Sequence, residues 1–236
     1  MSVLPAGIAQ REFLEFARRR RALVIKMAFP LVVGAPLVAG SAPPFYAAMA
    51  LTMLITIIGA LGTGAVLSRE RASGMQLRYR LLPRHRGVLL LERLAASAAI
   101  DLAQLVPILA LLALSHPRTA EWWPALLLAV AVTVLCANVV GALASTFTTA
   151  PGEVMLYVLL PLLPGFYLAG VFAPVTTPVQ HVASIVLPMT YLHDGLLGAL
   201  GGAPRLSVGS ISFGALATVI VGIGGALAGG RRVLEA

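Results

Sequence analysis

An all-helical, polytopic membrane protein is predicted by three features of the 236-residue chain. Hydrophobic residues make up 59% of it and charged residues only 11%, and the mean hydropathy of +0.93 lies far outside the soluble average. Its uncharged runs are long enough to cross a bilayer, and its basic residues gather at the ends of those runs. The expected architecture is six transmembrane helices, with an N-terminal amphipathic interface helix over residues 1–21 and a short cytoplasmic coupling helix within one connection. Residues 22–236 then form a single six-span domain. A 24.5 kDa chain laid mostly in lipid has little left for a water-soluble catalytic lobe. The net charge of +8 flanks apolar runs, so acidic lipid headgroups, and no nucleic acid, are its expected partners. The single Cys136 can build neither a disulfide nor a cysteine metal site within one chain.

The elements follow in order. In residues 9–18, Ala9, Phe13, Phe16 and Ala17 share one face while Arg11, Glu15 and Arg18 oppose them, the pattern of a helix lying in the interface. Residues 27–67 carry no charge for 41 positions, about 60 Å as helix, and must cross twice. The break falls at Gly40-Ser41-Ala42-Pro43-Pro44. The expected spans are 22–40, 45–67, 90–115, 123–147, 154–173 and 206–230, with a cytoplasmic segment at 68–87 and an outer re-entrant or helical segment at 174–196. Trp122 and Trp123 anchor one turn at the interface, and Thr148 to Glu153 form another.

Six crossings put both termini on one side. That side holds fifteen of the seventeen Lys and Arg residues and the other only Arg118 and Arg205, so both termini and the 68–87 island are expected in the cytoplasm. A cleaved signal peptide is the rival reading of the first 42 residues. It is disfavoured because Pro43 and Pro44 follow the only cleavage site and because losing the first span spoils the charge parity.

Within the island, Ser73-Gly74 should stop the extension of the second span. A short helix fits residues 75–82, with Leu77 and Leu81 on one face, Arg78 and Arg80 beside them, and Pro83 as its end. It forms a positively charged knob about 12 Å long at helical rise. A rigid knob hands displacement to the attached spans, whereas a floppy loop absorbs it; an ordinary positive-inside loop is the simpler alternative.

Glu70-Arg71, Gly74, Leu81 and Pro83, straight after a second span, resemble the E-R-x-x-G…P signature of ABC-type-2 permeases, the membrane subunits of ABC exporters. A second stretch, residues 167–196, is similar to that family's exit from the fifth span: Gly170-Val171-Phe172, then Pro174, Pro178 and Pro188-Met189-Thr190. The sequence departs from the commonest pattern in its short outer loops and in Met75, where a Thr is frequent. The resemblance implies an ATP-driven exporter permease paired with a second permease, identical or related, and with two separate ABC ATPase subunits in the inner or plasma membrane. It places the ATPase contact on Glu70, Arg71, Gly74, Met75, Leu77, Arg78, Leu81 and Pro83. It also places the dimer axis and the substrate path at spans two and five, on Thr52, Met53, Thr56, Tyr157, Phe166 and Tyr167.

No P-loop occurs, since the only lysine is Lys26, so this chain needs no cofactor of its own; ATP and magnesium belong to the partner. Pro161 and Pro164 in one span free backbone carbonyls that lipid cannot satisfy, which suggests an outer gate there with Gly165, Gly170, Phe172 and Pro174. Asp101 is the one acid at membrane depth, to be paired with Gln104 or with the other protomer. Its alternative role is the proton site of a secondary transporter that needs no ATPase. Intramembrane catalysis is the third reading, drawn from His116, His181, Ser184, His193 and Asp194 on the outer side. No H-E-x-x-H and no G-x-S-x-G accompanies them, and an exposed His on an amphipathic outer segment needs no special role. The scarcity of charge at membrane depth points to an amphipathic or hydrophobic cargo: a drug, lipid or peptide.

Overall fold

Prolines mark where most of the helices start. The computed structural model describes residues 20–40, 42–74, 86–116 and 121–220, with side chains described from residue 24 on except that of residue 86. The helices are α1 (Arg20–Ala39), α2 (Pro44–Ala72), α3 (Arg86–Ser115), α4 (Trp123–Ala144), α5 (Pro151–Leu168), α6 (Pro178–Val186), α7 (Pro188–Ala199) and α8 (Val208–Ile220). Proline occupies the first turn of α2, α4, α5, α6 and α7, where its missing N–H would have had no partner in any case. No strand occurs among the described residues. The expected interface helix, apart from its last two positions, lies outside them, as do the coupling helix at 75–82 with Leu77, Arg78, Leu81 and Pro83, and the end of the sixth span at 221–230.

Close pairs fix the directions of the helices. Glu70 meets Arg93, and Gly62 faces Asp101, so α2 and α3 run antiparallel. Gly59 faces Ala137 and Gly64 faces Gly141, so α2 and α4 run parallel. Gly64 also faces Val154 near the start of α5, and Gly34 of α1 faces Ile108 of α3. The up-and-down alternation of α1 to α5 is what successive crossings of one bilayer require. Among these, α2, α3, α4 and α5 are long and apolar enough to cross a membrane. Among the described residues, α1 and α8 contribute the apolar stretches Val24–Ala39 and Val208–Ile220.

α2 sits at the centre, packed against α1, α3, α4, α5 and α7. Its small residues let backbones approach, which supplies van der Waals contact where no hydrophobic driving force separates helix from lipid. A Cβ on Gly141 would run into the Ala60 carbonyl of α2. Larger side chains, among them Leu51, Ile55, Leu105, Leu126, Leu192 and Leu196, fill the core around α2, α3, α4 and α7. α5 presents one stripe, Val154, Val158, Leu162 and Phe166 at four-residue spacing, to a second cluster with Ala60 of α2 and Ala137 and Ala144 of α4.

α5 ends at Leu168, short of the expected 173. Gly170 at φ 76° closes it, with Gly170 N–H donating to Tyr167 O (3.1 Å) and Val171 N–H to Phe166 O (3.0 Å). Beyond it the chain does not cross again directly. α6 and α7 meet at 88°, and α7 returns along α4, since Thr133 donates to Pro188 O (3.2 Å) and Gly198 lies against the Trp122 ring.

Candidate functional site

The charged end of the bundle is built where α2 stops. Arg69 and Arg71 lie in its last turn, beside the exposed helix carbonyls. The Ser73 hydroxyl donates to Glu70 O (3.0 Å), and Gly74 at φ 69° turns the chain out of the helix. Glu70 points back to α3, where its Oε1 accepts from Arg93 Nη2 at 2.7 Å. Both side chains are largely enclosed, 13% and 8% exposed, so the pair is held away from bulk water and is screened less than a surface pair. It fastens the two helix ends that frame residues 75–85. Glu70 and Gly74 are thus placed on this frame, with Arg71 beside them, while Met75, Leu77, Arg78, Leu81 and Pro83 fall outside the described residues. The α4–α5 turn reaches the same end. There Thr148 donates to Glu153 Oε2 (2.6 Å) and accepts from Ala150 N–H (3.0 Å), so the turn closes on itself while remaining exposed.

A buried polar cluster joins α2, α3 and α4 further in. The Asn138 amide takes the orientation in which its nitrogen donates to Asp101 Oδ2 (3.0 Å) and Thr63 Oγ1 (2.8 Å). Gln104 Nε2 donates to Asp101 Oδ1 at 3.4 Å, and the charge of Lys26 on α1 also acts on the carboxylate. Asp101, Gln104, Thr63 and Asn138 are all buried. The acid is therefore partnered within one chain by Gln104, as the sequence suggested, and by Asn138, which carried no sequence signal.

The path residues divide between the interior and the surface. Thr52 and Thr56 are fully buried, and their hydroxyls bond to Ala48 O (2.7 Å) and Thr52 O (2.8 Å) of their own helix. Phe166 is buried in a cluster against which Met53 is packed. Tyr157 and Tyr167 are exposed on the outer face of α5 with Leu156, Leu160 and Leu163. Pro161 and Pro164 lie on that face too. Gly59, Gly62 and Gly64 of α2 face Ala137, Asp101 and Val154.

The far end of α5 is tied down by polar contacts. Thr190 Oγ1 and Arg205 Nη2 both donate to Ala169 O at 3.3 Å. Gln180 Nε2 donates to Tyr167 O (3.4 Å), while its Oε1 accepts from the Thr176 and Thr177 N–H groups in a capping box. Gly165 packs on Met189, Phe172 stands edge-on to Phe166 at 5.9 Å, and Pro174 is exposed. His193 and Asp194, expected on an exposed outer surface, are buried: His193 sits edge-on to Phe45, and Asp194 accepts from Leu206 N–H (3.1 Å) beside Arg205 (3.5 Å). The apolar face of α7 carries them into the core because α7 is surrounded by α2, α4 and α6. Among the described residues no group of His, Cys, Asp and Glu could hold a metal ion.

Residues 7–200 match the family described as ABC-2 type transporter. The chain belongs to that family. It is a multi-pass membrane permease component of an ABC transporter. No curated protein and no solved structure matches it.

Proposed function

We propose that this permease is the membrane half of an ATP-driven exporter for an amphipathic or hydrophobic substrate, a drug, lipid or peptide. It spans the bacterial inner or plasma membrane six times with both termini in the cytoplasm, as the distribution of Lys and Arg supports. Two such permeases, identical or related, stand on two ATPase subunits that bind ATP and magnesium. The residues 75–85 between α2 and α3 receive the stroke.

One observation carries this reading: the enclosed Glu70–Arg93 pair at the mouth of that connection. Because the two flanking helices are clamped to each other, a push that moves α2 moves α3 with it. α2 in turn packs on α1, α4, α5 and α7. Glu70 then serves coupling by holding the frame, and Arg71, Gly74, Met75, Leu77, Arg78, Leu81 and Pro83 form the surface offered to the ATPase.

The exposed face of α5 supports the pairing of two permeases. Its apolar side chains and its two prolines stand on the side that the chain's own core leaves uncovered. The substrate path then runs between the α5 faces, with Tyr157 and Tyr167 beside it and Thr52, Met53, Thr56 and Phe166 behind them. Pro161, Pro164, Gly165, Gly170, Phe172 and Pro174 form the outer gate. Asp101, satisfied by Asn138 and Gln104, serves as a structural polar joint in this account.

ATP-dependent transport in vesicles carrying both the permease and its ATPase tests the coupling. Glu70→Ala and Leu77→Asp should each abolish transport while the permease still inserts and elutes as the wild type does. Normal transport by both variants would reduce the connection to an orientation signal.

A further inference from the structure

On the side of the bundle formed by α6, α7 and α8 lies a groove of about 780 Å³, within the size range of small-molecule sites. His181, Arg205 and Ser210 line one part of it, Ile185, Val186 and Phe213 another, and Thr190 and Thr218 also stand in its wall. α6 lies across the bundle, since it meets α7 at 88° while α7 runs along α4, and both its ends stand near the end of α5: Gln180 is bonded to Tyr167 O, and Thr190, just beyond Leu187, to Ala169 O. α8 descends from Leu206, bonded to Asp194, to Gly214, which lies against Tyr191. The Tyr191 hydroxyl donates to Ile185 O and ties α7 to α6 in the wall.

Arg205 is anchored from behind. Its Nη2 donates to Ala169 O at 3.3 Å, and its Nε lies 3.5 Å from Asp194 Oδ1. Asp194 is completely enclosed while the Arg205 side chain is 34% exposed, so a ligand in the groove meets the cation and not the acid. A guanidinium fork held in this way has N–H donors left to offer in the fixed geometry that suits phosphate oxygens. Ile185, Val186 and Phe213 are each more than two-thirds exposed, an apolar strip in the same groove as a fixed cation.

We propose that this groove binds one membrane phospholipid, its phosphate on Arg205 and one acyl chain along Ile185, Val186 and Phe213. The site uses none of the residues assigned to the transport path or to coupling. It holds α8 against the α6–α7 pair through lipid, where side-chain packing leaves a gap.

Native mass spectrometry of the full chain, released from micelles supplied with one probe at a time, tests the proposal without need of ATPase or transport. Phosphatidylglycerol should remain as an adduct; diacylglycerol, which has the chains without the phosphate, and inorganic phosphate, which has no chain, should not. Arg205→Gln should lower retention about tenfold, the loss of one charge-assisted contact. Ala217→Trp should lower it comparably by filling the groove, and it leaves the Arg205–Asp194 pair untouched if the first variant fails to fold; Ala217 is exposed in the groove wall. Wild-type retention of phosphatidylglycerol by Ala217→Trp, equal retention of diacylglycerol, or equally tight binding of inorganic phosphate would each overturn the proposal.

Discussion

Asn138 decides whether an acid can be tolerated inside this bundle. Its amide bridges Asp101 on α3 and Thr63 on α2, so removing it leaves a buried carboxylate with only the long Gln104 contact and the field of Lys26. Asn138→Leu should cost about 3 kcal/mol, by analogy with breaking a buried ionic contact from one side. Thermal unfolding in mild detergent would show a lowered midpoint; an unchanged one would mean that the carboxylate is satisfied elsewhere. Asp101→Asn keeps the shape and removes the charge, so it should leave both fold and transport intact. A folded Asp101→Asn chain without transport would favour proton coupling. Legibility at this scale depended on distance along the chain. Asp101 and Gln104 share a helix face three residues apart and could be paired by eye, whereas Asn138 and Thr63 arrive from other helices with no periodic signal. The same holds for Arg205 and Asp194, which a loop brings together, and His193 was misplaced because an amphipathic reading cannot tell which neighbours will cover a face. The Thr177 to Gln180 capping box was legible in principle as T-x-x-Q before an apolar run.

Close contacts between helices set the next scale. Gly141 is the point where α4 touches the backbone of α2, and a side chain there would strike the Ala60 carbonyl. Gly141→Leu should destabilise the chain by about 3 kcal/mol or prevent its insertion, because the obstacle is main chain and cannot rotate away. Recovery of the variant in the soluble peak of a detergent extract, with an unaltered melting profile, would contradict such tight packing. At the end of α5, Gly170→Ala meets a different obstacle. The left-handed backbone at φ 76° costs a non-glycine residue about 1 kcal/mol, and its Cβ would come within 2.6 Å of Val175 Cγ2 and 3.0 Å of Arg205 Nη1. That substitution should loosen the grip on Ala169 and speed hydrogen exchange at the N–H groups of Gly170 and Val171. Helix starts were readable from prolines in the first turn. Helix neighbours were not, because only contacts such as Gly62 with Asp101 and Gly59 with Ala137 show which helices lie side by side.

At the scale of the molecule, the apolar runs and their basic flanks announced a multi-pass bundle, and α2 to α5 bear this out in length and hydropathy. What the runs could not show was that α6 and α7 turn on each other at 88° in place of one continuous element. Pro188 was visible, but a proline marks a break without giving the angle beyond it. The coupling role rests on the Glu70–Arg93 clamp, and a charge exchange examines it: Glu70→Arg or Arg93→Glu alone should impair ATP-dependent transport, while the double variant should recover most of it. Failure of the double variant to recover would place Glu70 against a partner protein and not against α3. The most direct measurement of the whole account is affinity purification of the tagged permease in mild detergent from cells that also express its ATPase. A P-loop ATPase should elute with it in equal amount and should be lost with Leu77→Asp; active transport by the purified permease with no ATPase present would contradict the account.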